Sequence, residues 1–273
     1  MSEFEFQRFL TIGQHLPTGS VIHRLDPRTR LVCGGILLIT ITLAPSLMGL
    51  VIALVVLLAL ILLARIPMSY ALKGLIPPLP FIAFLALLQI LFAAGSEATE
   101  PLWTWWIIRV SAGSLLSGAR LLLRFSALIL TVTLFSATTS VTETVRGLES
   151  LLSPLAHLGL PVQDLVLLVQ VALRFLPLLA REAERIAKSQ ASRGAEWGTG
   201  KGGLLHKIRQ ALPILVPLFL ISLQRAESMA VAMEARGYRS TGRRTSYVSL
   251  KLERLDAFAM GIILLITLIV LAC

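Results

Sequence analysis

The sequence predicts an all-α integral membrane protein with about five transmembrane helices and three cytoplasmic helices, two of them long. Three observations carry that expectation. Apolar residues make up 56% of the chain and arrive in long unbroken runs, with a mean hydropathy of +0.82; soluble domains do not sustain such runs. The charge is concentrated, with fifteen Lys/Arg and six Asp/Glu between residues 174 and 254 supplying +9 of the net +10. A basic segment of that kind fits a cytoplasmic face beside anionic lipid or an acidic partner, and not nucleic acid. Finally, two helix-like segments within it end on Arg-Gly: Ala191-Ser192-Arg193-Gly194 and Ala235-Arg236-Gly237.

Residues 1–30 read as a polar cytoplasmic leader; four arginines among them argue against a signal peptide. Asp26-Pro27-Arg28 supplies a helix start, with Asp as N-cap and Pro at the first helical position. Residues 31–141 hold four membrane helices. Leu31 to Ala44 is the first run, turned by Pro45-Ser46, and Leu47 to Ala64 is the second. Arg65 and Lys73 then fall in a short basic loop, which with the leader is cytoplasmic by the positive-inside rule. Leu75 to Ala94 is the third run, interrupted by Pro77, Pro78 and Pro80. A loop with Glu97, Glu100, Trp103, Trp105 and Trp106 suits the outer surface. The fourth run, Ser114 to Thr139, carries Arg120 and Arg124, each costing about 2.5–3.5 kcal/mol at a bilayer centre; snorkelling to headgroups or a protein interior answers that cost.

Residues 142–254 return to the cytoplasm. Val141 to His157 forms a short amphipathic helix, broken at Gly159-Leu160-Pro161. Leu165 to Ala180 and Ala211 to Leu223 are apolar but read as too short to cross, since a span takes about 20 residues. They suit long helices whose apolar halves pack under the membrane bundle; a membrane hairpin is the second reading. Gly198, Gly200, Gly202 and Gly203 give a flexible turn between them. Residues 255–273 form the last span, with Asp256 at its start. The two cysteines, Cys33 and Cys273, imply neither a disulfide framework nor a metal site.

The two Arg-Gly ends align at a constant offset of 43, which also pairs Glu184 with Glu227 and Ala187 with Ala230. Gly past a helix end is the usual left-handed cap, and Arg is a planar five-donor cation suited to an acidic groove. Chemistry-bearing motifs are missing. Gly200-Lys201 fails as a phosphate loop, because residue 202 is Gly and residue 195 is Ala. His15, His23, His157 and His206 have no ligand-spaced neighbours. Glu182, Glu184, Glu227 and Glu234 sit near arginines on helical faces and read as ion-paired rather than catalytic.

With these residues in view, the chain resembles the transmembrane scaffold subunit (T component) of energy-coupling factor transporters, over roughly residues 20 to 256. The resemblance rests on His23-Arg24-Leu25-Asp26-Pro27-Arg28, Arg120 to Arg124, Thr138-Thr139-Ser140 and Arg174-Phe175-Leu176-Pro177. It continues in Arg193-Gly194, Ala232-Met233 and Ala235-Arg236-Gly237-Tyr238. It implies a non-catalytic subunit without cofactor of its own, in a bacterial or archaeal plasma membrane. ATP and Mg would be bound by two partner ABC-type ATPases. Ala191, Ser192, Arg193, Gly194 and Ala235, Arg236, Gly237 would dock in them; the family usually has Ala where Ser192 stands. A membrane S component carrying a vitamin or metal ion would rest on Leu168, Leu176, Leu215, Leu218, Met229 and Met233. The competing expectations are a conventional ABC-importer permease, which forms the substrate path itself, and a basic anchor that binds lipid alone.

Overall fold

The computed structural model describes residues 18–92, 101–105, 108–154, 161–194, 204–238 and 252–273. Several expected features lie outside these residues: the leader before Thr18, His15, the acidic loop with Glu97, Glu100 and Trp106, His157, the glycine-rich turn and the basic segment 239–251. Ten helices and one hairpin are described. In order they are α1 (Val21–Arg24), α2 (Pro27–Leu43), α3 (Leu47–Leu63), α4 (Met68–Leu75), α5 (Leu79–Phe92), β1 (Pro101–Trp105), β2 (Ile108–Ser111), α6 (Ala112–Thr138), α7 (Val141–Leu152), α8 (Val162–Ser192), α9 (Leu204–Ala235) and α10 (Arg254–Ala272). They divide into two units, Gly13–Leu151 with Leu250–Cys273, and Leu152–Ser249 with Met1–Ile12.

The first unit is a helical bundle around α6, which packs against α2, α3, α4 and α5, while α10 closes over α2 and α3. The buried positions of α6 are mostly small, among them Ser114, Gly118, Ala127, Thr131 and Ala137, which lets neighbouring helices approach where lipid offers no hydrophobic drive. Gly49 shows how closely: a Cβ there would lie 2.6 Å from the Val270 carbonyl oxygen, so α3 and α10 approach backbone to backbone. Ile41, Leu50, Leu57, Ile61 and Val270 fill the fully buried core.

The caps follow the sequence. The Asp26 side chain accepts from Arg28 N–H with Pro27 at the first position of α2, and the Ser46 side chain accepts from Gly49 N–H to start α3. Two features depart from expectation, the placement of Lys73 and the fold of the Trp-containing loop, while the break at the prolines is as expected. The third membrane segment begins at Met68, so Lys73 sits in the last turn of α4 instead of in a loop, where a cation suits the helix dipole. Around Pro77 and Pro78 the chain bends by 54° into α5. The Trp-containing loop also forms an antiparallel hairpin, pairing Trp103 with Val110 and Trp105 with Ile108. Its β-branched and aromatic residues favour extended backbone, and Pro101 takes the first strand position, where no ladder donor is lost.

Polar groups pin the bundle where helices begin and end. Arg30, 7% exposed, donates from Nε to the Leu25 carbonyl at 3.1 Å and from Nη1 to the Thr138 carbonyl. The same Nη1 meets Glu143 Oε2 at 3.3 Å. Glu143 in turn accepts from Ser140 N–H at 3.0 Å, while Ser140 Oγ accepts from Glu143 N–H, a capping box that starts α7. Asp256, also buried, accepts from Asp26 N–H at 2.8 Å and from Glu253 N–H at 2.8 Å, which ties the first long helix to the last. Arg124, expected to snorkel or to reach a protein interior, does the latter: its Nη2 donates to the Ala44 carbonyl at 2.6 Å, a helix-end acceptor otherwise without a partner within α2.

Burial alone would push the Glu143 carboxyl up, but the Ser140 N–H and the Arg30 charge outweigh it and hold the group below the ordinary carboxylate range. A carboxylate lowered on folding contributes stability above its unfolded pKa and loses it as pH falls through the lowered value. Arg30→Ala leaves two carbonyls without their donor and Glu143 without its cation, so we expect a loss of about 3 kcal/mol, read as a lower midpoint of thermal unfolding in detergent. Glu143→Gln should remove part of the acid-side decline in that midpoint.

Candidate functional site

The second unit contains α8 and α9, helices of 31 and 32 residues that pack on each other. Pro177 lies inside α8, and Pro213 and Pro217 inside α9. Each proline removes one backbone donor without ending its helix. The expectation that their apolar runs are too short to cross a membrane fails as a length argument. α8 and the Ala211–Ala235 part of α9 are both long and apolar enough to span. The apolar runs end at Arg181 and just before Arg225, but the helices continue through both.

Both Arg-Gly motifs are helix ends of the same construction. Gly194 has φ 85° and Gly237 has φ 76°, the left-handed region that L side chains avoid. Gly194 N–H donates to the Ala191 carbonyl at 3.0 Å and Gly237 N–H to the Glu234 carbonyl at 2.9 Å. Tyr238 N–H closes the longer bond to Met233 at 3.0 Å, which completes a Schellman cap on α9. A Cβ on either glycine would meet nothing within 4 Å, so backbone conformation, not crowding within the chain, demands Gly. Arg193 and Arg236 are exposed, as are Ser192 and Ala235, and Ala191 is half-buried. Ser192 Oγ donates to the Ser189 carbonyl at 2.8 Å, so its hydroxyl serves the helix end.

The two ends are not brought together. Tyr238 Oη donates to Asp164 Oδ1 at 3.3 Å, which sets the end of α9 beside the start of α8. Arg225 Nη2 meets Glu182 Oε1 at 2.7 Å further along. Advancing on α8 therefore means retreating on α9, and the helices run antiparallel. Arg193 stands 29 residues beyond Asp164, about 43 Å of helix at 1.5 Å per residue. Glu184 pairs with Lys188 at 2.6 Å, one turn along α8, as expected of a helical face, but Glu182 finds its partner across the helix pair. That contact, and the Asp164–Tyr238 bond, have no signature in local spacing.

The apolar halves of both helices are uncovered. Leu168, Leu176 and Leu215 are exposed; Leu218, Met229 and Met233 are partly so. Ala187 is fully buried, whereas its counterpart Ala230 is exposed. Among the described residues no cluster of three His, Cys, Asp or Glu side chains could hold a metal ion.

A set of apolar helices, four of them among the described residues long and apolar enough to cross a membrane, or up to five if the bent α4–α5 pair is one span, is the architecture of a multi-pass membrane protein. A family model described as cobalt transport protein, CbiQ, matches residues 18–247. The chain is 35% identical over 262 residues to the energy-coupling factor transporter transmembrane protein EcfT of Lactococcus lactis subsp. cremoris, covering 96% of this chain and 97% of that one. It is 37% identical over 250 residues to the Clostridium kluyveri protein of the same name, covering 92% and 91%. Against the Bacillus subtilis one it is 37% identical over 238 residues, covering 87% and 88%. The chain belongs to this family, the transmembrane T components of energy-coupling factor transporters. It is thus a non-catalytic membrane scaffold, and the conventional-permease and lipid-anchor readings are set aside.

Gly237→Ala should cost about 1 kcal/mol at the end of α9 by forcing a Cβ into the left-handed region. Faster amide hydrogen exchange over residues 233–238 would show it, and Gly237→Asn should lose less.

Proposed function

We propose that this subunit transmits ATP-driven motion from two ABC-type ATPase subunits to a substrate-carrying S component in a bacterial plasma membrane. In this reading residues 1–30 and 142–254 are cytoplasmic, α2, α3, the α4–α5 pair, α6 and α10 are the five spans, and α8 and α9 are coupling helices. Arg193 and Arg236 each enter an acidic groove on one ATPase, where a planar guanidinium pairs with carboxylates in a site that excludes water. Gly194 and Gly237 turn the chain away directly behind each Arg, leaving the tips slender. Closure of the ATPases around ATP then moves both tips, and the helices pass the motion to their uncovered apolar halves. The S component rests there, on Leu168, Leu176, Leu215, Leu218, Met229 and Met233, and brings a vitamin or a transition metal ion. ATP and Mg stay with the ATPases.

One observation carries this reading: two exposed arginines, each on a helix end capped by a left-handed Gly, stand at opposite ends of one antiparallel helix pair. A partner with two like grooves would satisfy both at once. The charge that surrounds them in sequence, +9 between residues 174 and 254, would draw the acidic grooves toward them.

The test is co-expression with two ABC-type ATPases and an S component of known vitamin ligand. Arg193→Glu with Arg236→Glu should abolish ATPase co-purification and uptake of the radiolabelled vitamin into proteoliposomes, whereas either single change should leave a complex with one ATPase bound more weakly. Truncating a buried hydrogen-bonded charge typically costs about 2–5 kcal/mol per site, a loss of at least about 30-fold in affinity. Wild-type co-purification and uptake in the double variant would refute the proposal.

A further inference from the structure

The salt bridge between α8 and α9 falls at a particular place in the internal repeat. The repeat relates residue i of α8 to residue i+43 of α9, as in Arg193 with Arg236 and Gly194 with Gly237. Glu182 and Arg225 are themselves 43 apart, and they are the two residues that meet at 2.7 Å. Equivalent positions of two like helices touch each other only where an approximate two-fold axis passes between them. In an antiparallel pair the axis crosses at one level, and contacts elsewhere join non-equivalent residues, as Asp164 and Tyr238 do. The crossing therefore sits at Glu182 and Arg225.

From that point the arms are of equal length. Arg193 lies 11 residues beyond Glu182, and Arg236 lies 11 residues beyond Arg225, each about 16 Å at 1.5 Å per residue. At the crossing the two copies carry opposite charges. A residue retained in both copies on a two-fold axis would face its own kind, and two glutamates or two arginines would repel. Here the copies differ by sign, so the one level that must face itself is attractive. The side chains are 21% and 34% exposed, sheltered enough for the charges to hold a register and wet enough to rotate without a large desolvation penalty.

We propose that Glu182 and Arg225 are the positioning pair of the two coupling helices, an ionic pivot that keeps both arginine tips equidistant from the crossing so that symmetric closure of two ATPases turns the helices about one another without sliding them. This rests on the reading of α8 and α9 as coupling helices. A pivot between equal arms turns two matched displacements into pure rotation, whereas a slipped register would convert part of each into translation along the helices. The pair touches neither ATPase groove nor cargo and acts through the levers it joins.

The test uses the complex with its ATPases, with Cys33 and Cys273 replaced and spin labels at Ser189→Cys and Ala232→Cys. These positions are exposed, equivalent in the repeat, and each seven residues beyond the crossing. The label separation is measured by pulsed electron resonance without nucleotide and with Mg and a non-hydrolysable ATP analogue. The wild-type complex should give a narrow distribution that shifts with the analogue. Glu182→Arg, which sets two arginines face to face, should broaden it and reduce the shifted population about tenfold. The exchange Glu182→Arg with Arg225→Glu should restore both, and Arg225→Lys should keep the shift. ATPases should co-purify with every variant, because Arg193 and Arg236 are untouched. A Glu182→Arg complex that shifts as wild type does, or an exchanged pair or an Arg225→Lys variant that fails to recover the shift, overturns the pivot. Failure of the ATPases to bind even the wild-type chain would instead overturn the coupling reading beneath it.

Discussion

A guanidinium inside an apolar bundle survives only if its donors are spent on partners held in place, and Arg30 meets that condition with one carbonyl from the segment before α2, one from the end of α6 and the carboxylate that opens α7. Breaking any one of these contacts leaves a polar group without water to replace it, so the three chain ends are fixed as a set. The same logic recurs at Asp256, whose two oxygens take backbone donors from the starts of α2 and α10, and at Arg124 on the end of α2. Apolar packing between spans is non-directional and would tolerate sliding. These few charged groups supply register, because they act at helix termini, where four backbone groups per end need partners.

That division explains what could be read from the chain. Runs of apolar residues announce helices, and Asp26-Pro27, Ser46 and the two Arg-Gly ends announce where helices start and stop, because each signal is local. The pins are not local. Arg30 reaches a carbonyl 108 residues away, and Asp256 reaches back 230 residues; nothing in the neighbourhood of either residue names its partner. The hairpin was hidden for a different reason. Trp, Thr, Ile and Val in a short polar-flanked stretch suit both an interfacial aromatic belt and a strand, and only pairing decides. Lys73 misled in the opposite sense, since a charge that reads as a loop marker also suits the last turn of a helix.

For the candidate site, local chemistry was again the legible part. The left-handed glycines and the exposed arginines stood in the sequence as motifs, and the conformations at Gly194 and Gly237 follow from it. The antiparallel sense of the helix pair did not, because it depends on Asp164 meeting Tyr238. Yet the pairing of Glu182 with Arg225 was within reach, since the offset that aligns the arginine tips also aligns these two residues.

The bare leucines and valines of α8 and α9 bear on how the protein is made. Leu165, Leu168, Leu212, Leu215, Val216 and Phe219 all lie open, more contiguous apolar surface than an isolated water-soluble face tolerates. A newly synthesised copy without lipid or companions over these residues would be a substrate for chaperones and proteases. The abundance of the subunit would then follow the supply of its companions, so stoichiometry within the assembly can be set by disposal of orphans without any balancing of synthesis.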